Sequence, residues 1–273
     1  MATLTQINVY PIKSMTGFEV SSAYVGETGL AFDRQMMLID DQGRFVTARK
    51  SPQLLAFKCV MHEGGVVITN SEGRSFKIND DDFISSVSVS IWRHDMSAVV
   101  ANNKINQWLS DELNINVRLV KINEQSERTV KNSSHSLAFS DGYPLLIIGE
   151  QSLELLNEKA SESSLMSQFR SNLVFSGDTP FIEDTWRRIK IGEVEFEFLK
   201  PCERCIMTTV DMTTLKFRES KEPLRTLATF RSDNRGRLMF GENLIAKNNG
   251  VINIGDNIEV LETHVGVNYG AKT

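Results

Sequence analysis

Apolar and polar positions alternate with a period of two along most of the chain, which is the pattern of half-buried strands. Residues 4–10, 18–25, 33–40, 54–62 and 65–70 read this way, with shorter runs at 76–78 and 87–92. A basic strand-like run follows the hairpin signal Asp41-Gln42-Gly43 at residues 44–50. Residues 101–113 switch to the helical period, with Ile105, Trp108, Leu109 and Leu113 on one face, and 116–121 return to a strand. Residues 124–134 are polar and aperiodic, predicting a mobile loop and a boundary between two halves. The second half predicts a strand at 145–148, a helix over 150–160 and a strand at 169–175, the last placing Arg170 and Asn172 on one face. Strands at 193–198, 206–210, 243–247 and 258–261, a short helix at 224–230 and a fraying end from Thr263 complete the pattern. Many short strands with few helices predict a β-rich α+β fold, a barrel or sandwich with peripheral helices.

The chain has 273 residues, enough for one large domain or two closely packed ones. A net charge of −5 gives no support for a general nucleic-acid binder and leaves room for a local basic pocket. No apolar run approaches the roughly 20 residues that span a bilayer. The first residues lack the basic and apolar regions of a secretory signal, and three cysteines make no disulfide framework. A reduced, cytoplasmic setting is the expectation.

Two of those cysteines stand together in Lys200-Pro201-Cys202-Glu203-Arg204-Cys205, between the strand-like runs at 193–198 and 206–210. Pro201 has no N–H to donate, so the thiols are expected at a break in strand pairing. Arg204 beside Cys205 favours a thiolate there. A thioredoxin-like pair would lead into a helix, and the β-branched run after Cys205 argues against it. A structural zinc site wants four ligands, whereas Cys59 and the histidines are scattered. One thiolate on a soft metal otherwise held by an organic cofactor remains, beside the plain alternative of two structural cysteines. Lys13, Arg34, Arg49, Lys50, Arg170 and Arg204 stand out in an acidic chain near strand ends. They are solvated surface charges or, together, a lining for a phosphorylated ligand. Asn172 has the donors and acceptors to contact a heterocycle. Asp211 would accept from a cofactor ring or tie a turn.

The ordered set Tyr10-Pro11-Ile12-Lys13-Ser14, Asp33-Arg34, Phe45-Val46-Thr47-Ala48-Arg49, Ala138-Phe139-Ser140-Asp141, Phe169-Arg170-Ser171-Asn172, the Cys202–Asp211 stretch and Gly250-Val251-Ile252-Asn253-Ile254-Gly255-Asp256 resembles the MOSC family. Within it, the resemblance is to bacterial YcbX-type proteins and the mitochondrial amidoxime-reducing component. It implies a MOSC β-barrel (residues 123–262) with an intimately packed N-terminal β-barrel-like domain (1–122), peripheral helices, and a tail at 263–273. It also implies molybdenum cofactor, that is, molybdenum on a phosphorylated molybdopterin. Cys205 would be the metal ligand. Lys13, Ser14, Arg34, Arg170, Asn172, Glu203 and Arg204 would contact the cofactor, with Asp141 and Asp211 as further candidates for catalysis. Glu203 stands where some relatives carry a small residue. No cysteine follows Cys205, so a four-cysteine iron–sulfur cluster is not expected in these residues. The implied activity is reduction of N-hydroxylated substrates such as hydroxylaminopurines and amidoximes. Electrons would come from a separate flavin or iron–sulfur protein, with no nucleic-acid polymer or membrane as partner. The alternative is a carrier or sulfur-transfer protein for the same cofactor.

Overall fold

A computed structural model describes residues 2–271; the last two residues of the expected tail lie outside the described ones. The architecture is strand-rich, with four α-helices among the described residues, as the alternating pattern predicts. Two compact units form. One, the cysteine-bearing unit with Cys202 and Cys205, comprises Met1–Asn8, Glu19–Ala31 and Tyr143–Thr273; the second, which holds Cys59, comprises Val9–Phe18 and Phe32–Gly142.

The cysteine-bearing unit is built on an eight-stranded, curled sheet. Its strand order is Ile258–Thr263, Trp186–Ile191, Val194–Glu203, Met239–Ala246, Leu145–Gly149, Leu173–Ser176, Thr3–Val9, Phe18–Val20. Leu145–Gly149 is buried at every position, as a central strand covered on both faces must be. It runs parallel to Leu173–Ser176, and helix Glu150–Lys159 makes the crossover. Leu156 of that helix packs with Leu146, Ile148, Phe169, Leu227 and Phe240, and Cys202 lies against the same cluster. Gly241 takes φ 75, and a Cβ there would lie 2.6 Å from the Ile148 side chain, so only glycine fits.

The second unit holds an antiparallel sheet in the order Met36–Ile39, Arg118–Lys121, His94–Ala101, Phe83–Ile91, and a meander of Lys58–His62, Gly65–Thr69 and Ser75–Asn79. Helix Asn103–Leu113 starts where the Asn102 side chain accepts the Lys104 and Ile105 N–H groups at 3.0 and 3.2 Å, and ends at Asn114 with φ 52. Ile105, Leu109 and Leu113 are buried, as the helical period predicts, and Trp108 packs on Phe57 and Phe76. Gly17 is required for space, not for an unusual backbone angle. A Cβ there would sit 2.1 Å from the Val9 carbonyl oxygen.

Several expected elements differ. Residues 44–50 turn instead of extending, because the Thr47 carbonyl accepts the Lys50 and Ser51 N–H groups at 2.9 and 3.0 Å. The expected strand at 169–175 begins only at Leu173: Met166–Phe169 is a helical turn, and Arg170 follows it with φ 55. Arg170 and Asn172 therefore do not share a strand face by alternation. Residues 206–209 form a 3-10 turn, since the Thr208 and Thr209 hydroxyls donate back to the Cys205 and Ile206 carbonyls at 2.9 and 2.7 Å. Pro201 does not end its strand. Val194–Glu203 continues through it with irregular register on both sides. Strands His94–Ala101 and Gly250–Asn253 have no counterpart in the sequence reading. The segment after Thr263 is tied down: the His264 N–H reaches the Thr185 carbonyl, and Gly270 and Ser232 exchange backbone hydrogen bonds at 2.9 and 3.0 Å.

Candidate functional site

Lys13, Ser14, Arg34 and Asp141 fall in the second unit; Arg170, Asn172, Glu203, Arg204, Cys205 and Asp211 fall in the cysteine-bearing unit.

In the second unit, the break after Tyr10 is held by a short backbone ladder. Lys13 N–H donates to Met36, Met36 N–H to Pro11, and Arg34 N–H to Tyr10, at 2.8, 3.0 and 2.8 Å. Ser14 and Arg34 take φ 72 and 48, so both side chains leave left-handed positions. The Arg34 guanidinium stacks 4.4 Å from the Tyr10 ring centroid and pairs with Asp33 at 2.5 Å. Lys13 is buried; its Nζ donates to the Phe139 carbonyl at 2.8 Å and pairs with Asp141. Burial holds the Lys13 ammonium below the usual lysine range, against the opposing pull of Asp141. Arg49 Nη2 donates to the other Asp141 oxygen at 2.7 Å. Partial desolvation would raise the half-exposed Asp141 carboxyl, but Lys13 and Arg49 outweigh it and hold the group well below the usual carboxylate range. Asp141 is thus an ionised acceptor at any physiological pH, not a proton donor.

Arg128 sits beneath this loop. Its guanidinium donates to the carbonyls of Ala138 at 3.0 Å, Asp141 at 2.5 Å, and Ser140. The sequence reading placed Arg128 in a mobile polar loop; it is buried, and so is Val130. The alternation of Arg128 and Val130 among polar residues is the only sequence signal of this.

In the cysteine-bearing unit, Cys205 opens the 3-10 turn with an extended backbone; its thiol is free of disulfide and partly exposed. Buried Gln168 fixes this turn: its Nε2 donates to the Thr208 and Val210 carbonyls at 2.9 and 3.1 Å, and its Oε1 accepts from Leu165. No sequence rule singles out Gln168. The Arg204 guanidinium is hydrogen-bonded to Cys202 Sγ at 3.0 Å and to the Phe169 carbonyl at 2.7 Å, beside Arg170. The cation adjacent to Cys205 in sequence therefore serves the other thiol. Asn172 is buried and spans strands: Nδ2 donates to the Asn8 carbonyl at 3.1 Å, and Oδ1 accepts from Leu146 N–H at 3.3 Å. Glu203 is exposed. Asp211 accepts the Thr213 and Thr214 N–H groups at 3.0 and 2.7 Å, which ties a turn and lowers its carboxyl.

The same unit buries a group of charges that sequence reasoning missed. Arg231 pairs twice with Asp184, at 2.6 and 3.0 Å, and stacks on Phe181 and Tyr269. Burial pushes Glu242 up to about 9, with Asp184 and Glu183 adding to it. Burial likewise pushes Glu183 to about 7, although it accepts from Gly149 N–H and the Ser152 hydroxyl at 3.1 and 2.8 Å.

Among the described residues, no three His, Cys, Asp or Glu side chains gather to hold a metal ion. A metal at Cys205 would need its other donors from outside the protein. One soft thiol, the cations Arg170 and Arg204, and no protein cage form a donor set that fits a metal arriving with its own sulfur ligands and a phosphate. No helix of the described residues is long and apolar enough to cross a membrane.

The MOSC N-terminal beta barrel domain matches residues 1–116 and the MOSC domain residues 134–259. Mitochondrial amidoxime-reducing component 1 of Mus musculus is 30% identical over 96% of this chain and 83% of its own. Mitochondrial amidoxime reducing component 2 of Macaca fascicularis is 32% identical over 85% and 73%. Molybdenum cofactor sulfurase of Oryza sativa subsp. japonica is 28% identical over 87% of this chain, which spans about a third of that protein, 32%. With two domain matches in order and a relative aligned over most of both lengths, the chain belongs to the MOSC family, pairing the family's N-terminal beta barrel domain with the MOSC domain itself.

Proposed function

We propose that this protein binds molybdenum cofactor and reduces N-hydroxylated compounds, hydroxylaminopurines and amidoximes among them, to amines and amidines. The observation that carries the reading is Cys205: a partly exposed thiol outside any disulfide, at the head of a turn locked by Gln168, in a chain whose described residues build no metal cage of their own. Relatives named as amidoxime-reducing components support the choice of reaction.

When bound, the cofactor supplies two-electron redox chemistry. The protein's residues bind and orient. Cys205 provides the thiolate ligand, and Arg170 and Arg204 supply positive charge for the cofactor's anionic groups. Asn172 acts from behind, joining the Leu145–Gly149 and Thr3–Val9 strands that frame the segment bearing Arg170. The exposed Glu203 and the turn-forming Asp211 border the cysteine loop. In the second unit, Lys13, Ser14 and Arg34 are cofactor-binding residues by the same family reading, and ionised Asp141 is an acceptor. Each turnover converts N–OH to N–H and water, consuming two electrons and two protons. The electrons come from a separate flavin or iron–sulfur protein.

A second reading, cofactor carriage or sulfur transfer, draws on the sulfurase relative and on the Arg204 hydrogen bond to Cys202. The test measures molybdenum per chain, in protein made in a host that synthesises the cofactor, for wild type, Cys205→Ser and Cys202→Ser. Reduction driven by reduced viologen is then assayed. Near-stoichiometric metal that is lost or silent only in Cys205→Ser, with turnover of N-hydroxylated compounds, supports the reductase. Metal and cofactor transfer to an apo-enzyme without turnover supports the second reading. No molybdenum or pterin in any variant refutes both.

A further inference from the structure

The Arg204 guanidinium is committed to the protein at both of its ends. Nη1 donates to Cys202 Sγ at 3.0 Å, Nη2 donates to the Phe169 carbonyl at 2.7 Å, and the group lies 5.1 Å from the Phe169 ring centroid. Nε is buried without a hydrogen-bond partner, so those two bonds alone fix the direction of the group. The Phe169 carbonyl is the last of the Met166–Phe169 turn, a position where a helix end lacks an internal donor. Arg170 leaves the turn at φ 55, the left-handed position that commonly closes a helix, and its N–H returns to the Ser167 carbonyl at 3.2 Å. Arg204 therefore completes the cap from which the Arg170 side chain departs.

Cys202 anchors the other side of this bridge. It lies in strand Val194–Glu203, and its side chain packs against the cluster that contains Phe169 and Phe240. Sulfur packs well among apolar groups and accepts a hydrogen bond, so one atom meets both demands of the position. Within the cofactor reading, on which this inference rests, we propose that Cys202 is a positioning residue. By fixing the Arg204 guanidinium on the Phe169 carbonyl, it holds Arg204 and the left-handed Arg170 as one anion-binding pair for the phosphorylated cofactor. Cys202 acts through Arg204 and carries neither metal nor sulfur. A serine in its place can accept from the guanidinium, whereas an alanine cannot.

The test has two readouts. One is the rate at which molybdenum and pterin are lost on dialysis. The other is labelling of Arg204 by phenylglyoxal in cofactor-free protein, mapped by mass spectrometry. Cofactor loss should be about fivefold faster or more in Cys202→Ala, as removal of one hydrogen bond predicts, and near the wild-type rate in Cys202→Ser. The serine variant also guards against misfolding of the alanine one. Arg204→Met should lose cofactor at least as fast as Cys202→Ala, and combining the two should change nothing further, since the thiol acts only through the guanidinium. Equal loss from wild type and Cys202→Ala, a serine variant as impaired as the alanine one, or a double variant showing the product of the single effects overturns the assignment. Labelling of Arg204 should be about fivefold faster in Cys202→Ala than in wild type or Cys202→Ser. If wild type holds neither molybdenum nor pterin, the cofactor reading has failed, and labelling then decides alone whether Cys202 positions Arg204. Faster labelling confined to Cys202→Ala sustains that role, and any other pattern refutes it.

Discussion

Replacing Glu242 by glutamine puts a number on the buried charges around Arg231. Glu242 lies in the central strand Met239–Ala246 and is pushed up to about 9, from an ordinary value of 4.5. Between those values the folded protein keeps a proton that the unfolded chain has released, so stability falls as pH rises through that window. At pH 7.5 the unfolded chain is three pH units past its titration, worth about 1.4 kcal/mol each, so native Glu242 forfeits about 4 kcal/mol there. Glutamine cannot ionise. Allowing about 1 kcal/mol for altered hydrogen bonding, Glu242→Gln should be more stable than wild type by about 3 kcal/mol at pH 7.5 and close to it at pH 5. Urea unfolding at pH 5, 6, 7 and 8 reads this, followed by Trp186 emission after Trp92→Phe and Trp108→Phe, since those two tryptophans belong to the second unit. Glu183, raised to about 7, leaves the variant a residual downward slope that ends near pH 7. Parallel stability curves for the two proteins would refute the reasoning, because they would mean that Glu242 is ionised in the folded state.

Three further outcomes are expected. Gln168→Ala strips the Thr208 and Val210 carbonyls of their donor; it should cost about 1–3 kcal/mol and speed alkylation of Cys205 by iodoacetamide. Gly17→Ala forces a methyl to 2.1 Å from the Val9 carbonyl; it should lose at least about 2 kcal/mol, while Gly64→Ala, strained at φ 77 but with open space around it, loses about 1 kcal/mol, both read by thermal unfolding. Arg128→Leu leaves the carbonyls of Ala138, Ser140 and Asp141 without their guanidinium and should cost about 3 kcal/mol by urea unfolding, with raised proteolysis of the 138–141 loop.

Hydrophobic patterning was enough to find four elements: alternation marked the strand Thr3–Val9, a continuous apolar run marked Leu145–Gly149, which is buried on both faces, and the helices Asn103–Leu113 and Glu150–Lys159 were read in their places. It failed at Phe169-Arg170, where a strand-like sequence makes a helical turn closed by Gln168 and a left-handed arginine. It failed again after Cys205, where threonine hydroxyls bind the preceding carbonyls and override β propensity. The candidate residues were legible as types: a thiol pair and cations near strand ends. Their pairings were not. That Arg204 serves Cys202, that Lys13 is buried against Asp141, and that Arg128 underpins the same loop are long-range contacts invisible to local pattern.

The strand Thr3–Val9 pairs with Leu173–Ser176, about 170 residues later in the chain. At roughly 5–20 residues per second of synthesis, its partner emerges about 10–35 seconds after it does. During that interval the first strand of the cysteine-bearing unit is an unpaired, half-apolar ribbon, while the residues of the second unit are already complete by Gly142. The unit that carries Cys205 is therefore the last to close during biosynthesis, and Thr3–Val9 is the segment most in need of a chaperone. A fragment that starts after Gly142 would lack both Thr3–Val9 and Phe18–Val20, and Leu173–Ser176, apolar at three of its four positions, would become a bare sheet edge primed for aggregation.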